Sequence, residues 1–110
     1  MQENKRTIVE DIKTRLLTNI QPKSIILFGS VAKGSDSLDS DIDLLVVWDE
    51  QKDVPNIKRQ IMLRQIIGIT ESPLDILTCT SEELQFALTD EQSFTSHIIK
   101  EGEVLYGGLN

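Results

Sequence analysis

The segment "ILFGSVAKGSDSLDSDIDLLVV", residues 26–47, holds an apolar run, a Gly-Ser pair, a polar loop and an Asp-x-Asp triplet that enters a second apolar run. With Ser24 and Ile25 added, "SIILF" is short, apolar and bounded by Gly29, which reads as a buried strand. "IDLLVVW" is rich in branched side chains and reads as a second strand. Strand side chains alternate faces, so Asp41 and Asp43 point the same way, about 6.5 to 7 Å apart, while Ile42, Leu44 and Val46 point the other way. Two bare carboxylates that close repel each other, and desolvation sharpens the repulsion. A hard divalent cation reverses that sign. Mg²⁺ suits the pair, because it takes oxygen ligands from one or two carboxylates plus substrate phosphates. Two such ions can stabilise both the attacking and the leaving oxygen of a displacement.

The first half of the segment suits a phosphate. Gly29 allows a sharp turn and close approach to the backbone. Ser30 offers a hydroxyl and an N–H, and one helical turn beginning there would aim further N–H groups outward. Lys33 lies one turn on and can neutralise the same anion, while Gly34 removes a side chain that would crowd it. A third acid, Asp75, opens the apolar run "LDILTCT", which reads as a third strand. If that strand neighbours the second, Asp75 joins Asp41 and Asp43 on one face. It could then ligate metal and help deprotonate an attacking hydroxyl.

Around these strands the chain reads as helices. "TIVEDIKTRLLTNI" spaces Ile8, Ile12, Leu16 and Ile20 at helical intervals, with Thr7 and Glu10 fitting a capping box and Pro22 ending the helix. "DVPNIKRQIMLRQIIGIT" reads as a helix with Pro55 in its first turn, Ile57, Ile61 and Ile66 among its apolar positions, and Arg59 and Arg64 on a solvated face. Thr80 and Glu83 form another capping box opening "SEELQFAL"; Asp90 is a candidate cap for a last short helix; "EVLYGG" reads as a terminal strand. The expected fold class is α+β (α/β mixed), a small mixed sheet flanked by helices, in a single domain over residues 1–110.

Composition bounds the function. The 110 residues carry a formal net charge of -7, which disfavours general nucleic-acid binding. No apolar run is long enough to span a membrane, and the N-terminus lacks a signal-like stretch. The single cysteine, Cys79, cannot form an internal disulfide. A cytoplasmic protein is expected. Cys79 and His97 read as structural, without metal-ligand partners at useful spacing. Trp48 and Phe94 read as packing residues, and Trp48 is alternatively placed to stack on a base. An EF-hand reading of Asp39, Asp41, Asp43 and Glu50 fails at Leu44, where glycine is required.

The Gly29-Ser30 pair, ten residues (31 to 40), then Asp41-Ile42-Asp43 resembles the signature of the polymerase-beta-like nucleotidyltransferases. The shortness of the chain makes it most similar to the minimal nucleotidyltransferases, the MNT proteins. Many relatives carry arginine after Gly-Ser and again before the next glycine, where Val31 and Lys33 stand here. The resemblance implies the polymerase-beta-like fold and transfer of a nucleoside monophosphate, AMP from ATP or another NTP, to a hydroxyl. It implies two Mg²⁺ ions held by Asp41, Asp43 and Asp75, with Asp75 also the base. Gly29 and Ser30 would bind the β- and γ-phosphates. It further implies a role as antitoxin to a HEPN ribonuclease toxin that serves as acceptor. Apolar residues near the C-terminal segment could serve a homo-oligomer or partner surface. The competing readings are a binding module that blocks its toxin by contact and an aminoglycoside-like small-molecule nucleotidyltransferase.

Overall fold

The two apolar runs flanking Gly-Ser and Asp-x-Asp become the two central strands of a four-stranded sheet. A computed structural model describes residues 4–34 and 40–108. Its elements are α1 (Lys5–Asn19), β1 (Ser24–Phe28), α2 (Gly29–Lys33), β2 (Ile42–Val47), α3 (Asn56–Ile67), β3 (Leu74–Cys79), α4 (Ser81–Leu88), α5 (Phe94–Glu101) and β4 (Glu103–Gly107). The strand order is β3-β2-β1-β4. β1 runs antiparallel to β2 and β4, whereas β2 and β3 are parallel. A parallel pair needs a crossover, and α3 supplies it. This is the mixed α/β architecture expected from the sequence.

Central strands covered on both faces read as continuous apolar runs. On one face Ile25, Leu27, Ile42, Leu44, Val46 and Ile76 pack with Ile8, Val9, Ile12 and Leu16 of α1 and Leu63 and Ile67 of α3. On the other face Ile26, Leu45 and Val47 meet Leu84 of α4 and Ile98 of α5. Asp43 and Asp75 belong by alternation to this second face. Among the described residues no helix is long and apolar enough to cross a membrane.

Several local expectations are corrected. α1 begins at Lys5, and its cap is Asn4, whose Oδ1 accepts from the Thr7 N–H at 2.9 Å. With Asn4 in that place, Thr7 sits inside the helix and its hydroxyl also donates to Asn4 Oδ1, so the Thr7–Glu10 box does not form. Ser93, not Asp90, caps α5; Asp90 instead accepts from the Gln92 N–H and shapes the preceding turn. In α3, Ile57 and Ile61 face solvent, and the buried line is Arg59, Leu63 and Ile67. Arg59 is therefore not on a solvated face. Its stem is buried, its Nε–H donates to the Val54 carbonyl at 3.0 Å and a terminal N–H donates to Glu83 Oε1 at 3.2 Å. A long amphipathic side chain can fill an apolar position provided its head finds acceptors. Asp39, from the rejected EF-hand reading, lies outside the described residues.

The capping box at α4 forms as expected. Thr80 Oγ1 accepts from the Glu83 N–H at 3.1 Å, and Glu83 Oε1 accepts from the Thr80 N–H at 2.8 Å. The same carboxylate oxygen receives Arg59, so the box also anchors the buried guanidinium. Thr80→Ala is expected to lower stability by about 1 kcal/mol, read as a shifted denaturant midpoint at unchanged slope. A change within a few tenths would mean that the cap contributes nothing here.

Candidate functional site

The site grows from the junction between β1 and α2. Phe28 ends the strand, and Gly29 turns the chain with φ +75°. An added Cβ at Gly29 would lie 2.3 Å from Asp43 Oδ2 and 3.2 Å from Asp43 Cγ. The carboxylate of Asp43 thus occupies the space that any side chain at position 29 would fill. This contact gives the spacing of the sequence pattern its physical meaning: the glycine of Gly-Ser and the second aspartate of Asp-x-Asp are packed against each other. Gly34 is different. Its φ is +74°, as the left-handed end of α2 requires, but among the described residues nothing lies within 4 Å of an added Cβ. Its left-handed backbone is what the structure shows of its role.

Strand register sets the rest. Phe28 is the cross-strand partner of Asp43, and Asp43 is the partner of Asp75. Phe28, Asp43 and Asp75 therefore form one row across three strands, on the face that α4 and α5 only partly cover. Asp41 stands two residues before Asp43, just outside β2, and is exposed, as is Asp75. Asp43 is half-buried, and its carboxyl is raised above the ordinary range by burial first, then by the charges of Asp75 and Asp41. Among the described residues no hydrogen bond or ion pair neutralises any of the three acids. Nor, among those residues, are three acidic, histidine or cysteine side chains gathered closely enough to hold an ion by themselves. The arrangement is an open carboxylate row rather than a closed cage. That fits Mg²⁺, which commonly takes one or two carboxylates and completes its shell with water and substrate phosphate.

Ser30 is half-buried in the first turn of α2, beside Gly29. Lys33 lies at the end of the same turn and pairs with Glu101 of α5 at 3.2 Å, both side chains being largely exposed. The structure thus brings Gly29, Ser30, Asp41, Asp43 and Asp75 to one end of the sheet, with Lys33 turned toward α5. Trp48 is corrected as a base-stacking candidate. It is buried in the core at the opposite end of β2, with its indole N–H donating to Glu50 Oε1 at 2.9 Å. Cys79 is half-buried and its thiol is pushed up to about 11, chiefly by burial, so it stays protonated and unreactive. Phe94 is only partly a packing residue. Its ring meets Phe28 edge-on, with centroids 6.3 Å apart, yet 65% of the residue remains exposed. The sequence signal for its position was slight, a phenylalanine directly after a capping serine.

The model of the family described as "Polymerase beta, Nucleotidyltransferase" matches residues 10–108. The chain belongs to the polymerase beta nucleotidyltransferase family. This nucleotidyltransferase is 38% identical over 85 residues to a protein of Methanocaldococcus jannaschii provisionally assigned as a protein adenylyltransferase, a match spanning 76% of this chain and 78% of the relative. Among solved structures, the nucleotidyltransferase resembles a toxin–antitoxin crystallised with AMP-PNP, at 21% identity and a TM-score of 0.53, over 96% of this chain and 75% of that one. It also resembles a provisionally assigned nucleotidyltransferase of Sulfolobus solfataricus, at 19% identity and a TM-score of 0.54, over 94% of this chain and 77% of that one. A mutant of the toxin–antitoxin MntA-HpeT is a third, at 23% identity and a TM-score of 0.52, over 97% and 75% of the two chains. At such identities these structures establish the shared fold.

Proposed function

We propose that this nucleotidyltransferase moves AMP from ATP to a hydroxyl of a partner protein, with Mg²⁺, and so acts as antitoxin to a HEPN ribonuclease toxin. The observation that carries the reading is the unneutralised row in which Asp43 faces Asp75 across β2 and β3 while its carboxylate fills the space beside Gly29. The assignment of the M. jannaschii relative supports a protein acceptor. The toxin–antitoxin neighbours, one of them crystallised with AMP-PNP, support the partner class and the nucleotide.

Asp41 and Asp43 would hold Mg²⁺, with Asp75 as a further ligand. Bound there, the metal would offset the charge of a triphosphate and polarise the phosphoryl group under attack. The remaining work falls to the chain itself. Backbone N–H groups at Gly29 and Ser30, with the Ser30 hydroxyl, would receive the β- and γ-phosphates. Asp75 would accept the proton of the incoming hydroxyl as that oxygen bonds to the α-phosphorus. The bond from the α-phosphorus to its bridging oxygen breaks, and pyrophosphate leaves. Lys33 shares its charge between this anion and Glu101. The exposure of Asp41 and Asp75 leaves the row open to a protein surface, which suits an acceptor presented by another chain.

The test is incubation with ATP labelled at the α-phosphate, Mg²⁺ and the toxin. Label is expected on the toxin, and to be absent when Asp41 and Asp43 are both replaced by alanine. Toxin inhibition that survives without nucleotide and without either acid would establish blocking by contact instead. Transfer of label to an aminoglycoside with no protein present would establish the small-molecule reading.

A further inference from the structure

We propose that Phe94, backed by Phe28, is the shelf on which the base of the bound nucleoside triphosphate stacks. This rests on the nucleotidyl-transfer reading and extends it from the phosphates to the base. Phe28 occupies the same cross-strand row as Asp43 and immediately precedes Gly29, so it adjoins both Asp43 and the phosphate turn and carries Phe94 against its own ring. Neighbouring strands are about 4.8 Å apart, which puts Phe28 one strand away from Asp43. Phe94 meets Phe28 edge-on at 88°. An edge-on contact uses one rim of a ring and leaves a face available, in keeping with the 65% exposure of Phe94.

The shelf is held in place. Ser93 caps α5 through the Ser96 N–H at 3.1 Å, and its hydroxyl donates to the Ala87 carbonyl at 2.9 Å. The Ser96 hydroxyl donates to the Asp90 carbonyl at 2.7 Å. At the far end of α5, Glu101 pairs with Lys33 of α2. The N-terminal end of α5 is thus fixed to the end of α4, with Phe94 against Phe28, and its C-terminal end to Lys33 of the segment that carries Gly29 and Ser30. A rigid ring beside a phosphate site favours stacking, because little freedom is lost when the base arrives. Every base has a π-face, so stacking alone discriminates weakly among them.

Calorimetric titration with AMP-PNP and Mg²⁺, beside inorganic tripolyphosphate as a base-less probe, separates the possibilities. Phe94→Ala is expected to weaken AMP-PNP by about 10- to 100-fold and to leave tripolyphosphate unchanged. Phe94→Trp should retain or tighten AMP-PNP, and GMP-PNP should follow the same order. Position 94 is exposed, so these variants should fold, which circular dichroism checks. Equal AMP-PNP affinity in wild type and Phe94→Ala overturns the shelf while leaving nucleotidyl transfer standing. If that variant instead weakens only toxin binding, the ring is a protein contact and the shelf is wrong. Failure of wild type to bind either probe overturns both readings.

Discussion

Asp43→Asn should reduce nucleotidyl transfer about 10³-fold, the scale expected when a principal charge-stabilising group is removed, while raising the melting temperature. Opposite effects on activity and stability follow from the position of the carboxyl. Burial and the neighbouring charges of Asp75 and Asp41 lift its folded pKa above the unfolded value. A carboxyl shifted upward favours the folded state while protonated, and that contribution is lost as pH rises through the folded pKa. At neutral pH the ionised group therefore opposes folding, and asparagine removes the repulsion at nearly the same volume. The wild type should lose stability relative to Asp43→Asn as pH climbs through the carboxylate range, with the full gap above it. Mg²⁺ should close the gap by binding the wild type, adding about 2.7 kcal/mol at a hundredfold excess over its Kd, and should do much less for the variant. Thermal melts over pH and magnesium concentration, run beside the labelled-transfer assay, measure each part. A variant that still transfers nucleotide at the wild-type rate would remove Asp43 from the chemistry.

Gly29→Ala should be nearly as damaging to activity, and it should also cost stability. The left-handed backbone at φ +75° disfavours any side chain by about 1–2 kcal/mol. The new methyl would lie 2.3 Å from Asp43 Oδ2, so the carboxylate must move. Displacing a catalytic group by about 1 Å can cost on the order of 10²-fold in rate. Gly34→Ala separates the two effects. Its φ is nearly the same, but among the described residues its added Cβ meets nothing within 4 Å, so it reports the backbone cost without the clash with Asp43. The excess loss in Gly29→Ala should shrink when Asp43 is also alanine, because the clashing carboxylate is gone. A double-mutant cycle measures that coupling. Equal losses in Gly29→Ala and Gly34→Ala, with transfer intact in both, would show that the close approach of Asp43 to Gly29 is functionally idle.

Much of this site was legible before any coordinates, because its parts are local. Asp41 and Asp43 lie two apart at the head of an apolar run, and strand alternation alone puts them on one side. Gly29 and Ser30 end another apolar run, where a turn is needed. Asp75 was legible only conditionally, since joining the others required β3 to pair with β2 in one particular register. Other residues were misread for a related reason. Ile57 and Arg59 are both compatible with α3, and helical periodicity does not say which of them faces the sheet. Arg59 won that place because Val54 and Glu83 offer acceptors to its head, and Glu83 is 24 residues away. Phe94 resembled any core aromatic until its ring was seen beside Phe28 and largely in solvent.

From its order of residues alone, this protein already determined its strands, most of its helices, one complete capping box and the acidic pair next to a Gly-Ser turn. Those features follow from backbone periodicity and from hydrogen bonds spanning three or four residues. Only the tertiary structure decided that Asp75 faces Asp43, that Asp43 occupies the space Gly29 leaves, that Arg59 is buried and Trp48 unavailable, and that Phe94 meets Phe28 while staying largely exposed. Each of these depends on which distant segment packs alongside. Packing is chosen by the whole core at once, so no short window of sequence contains the answer.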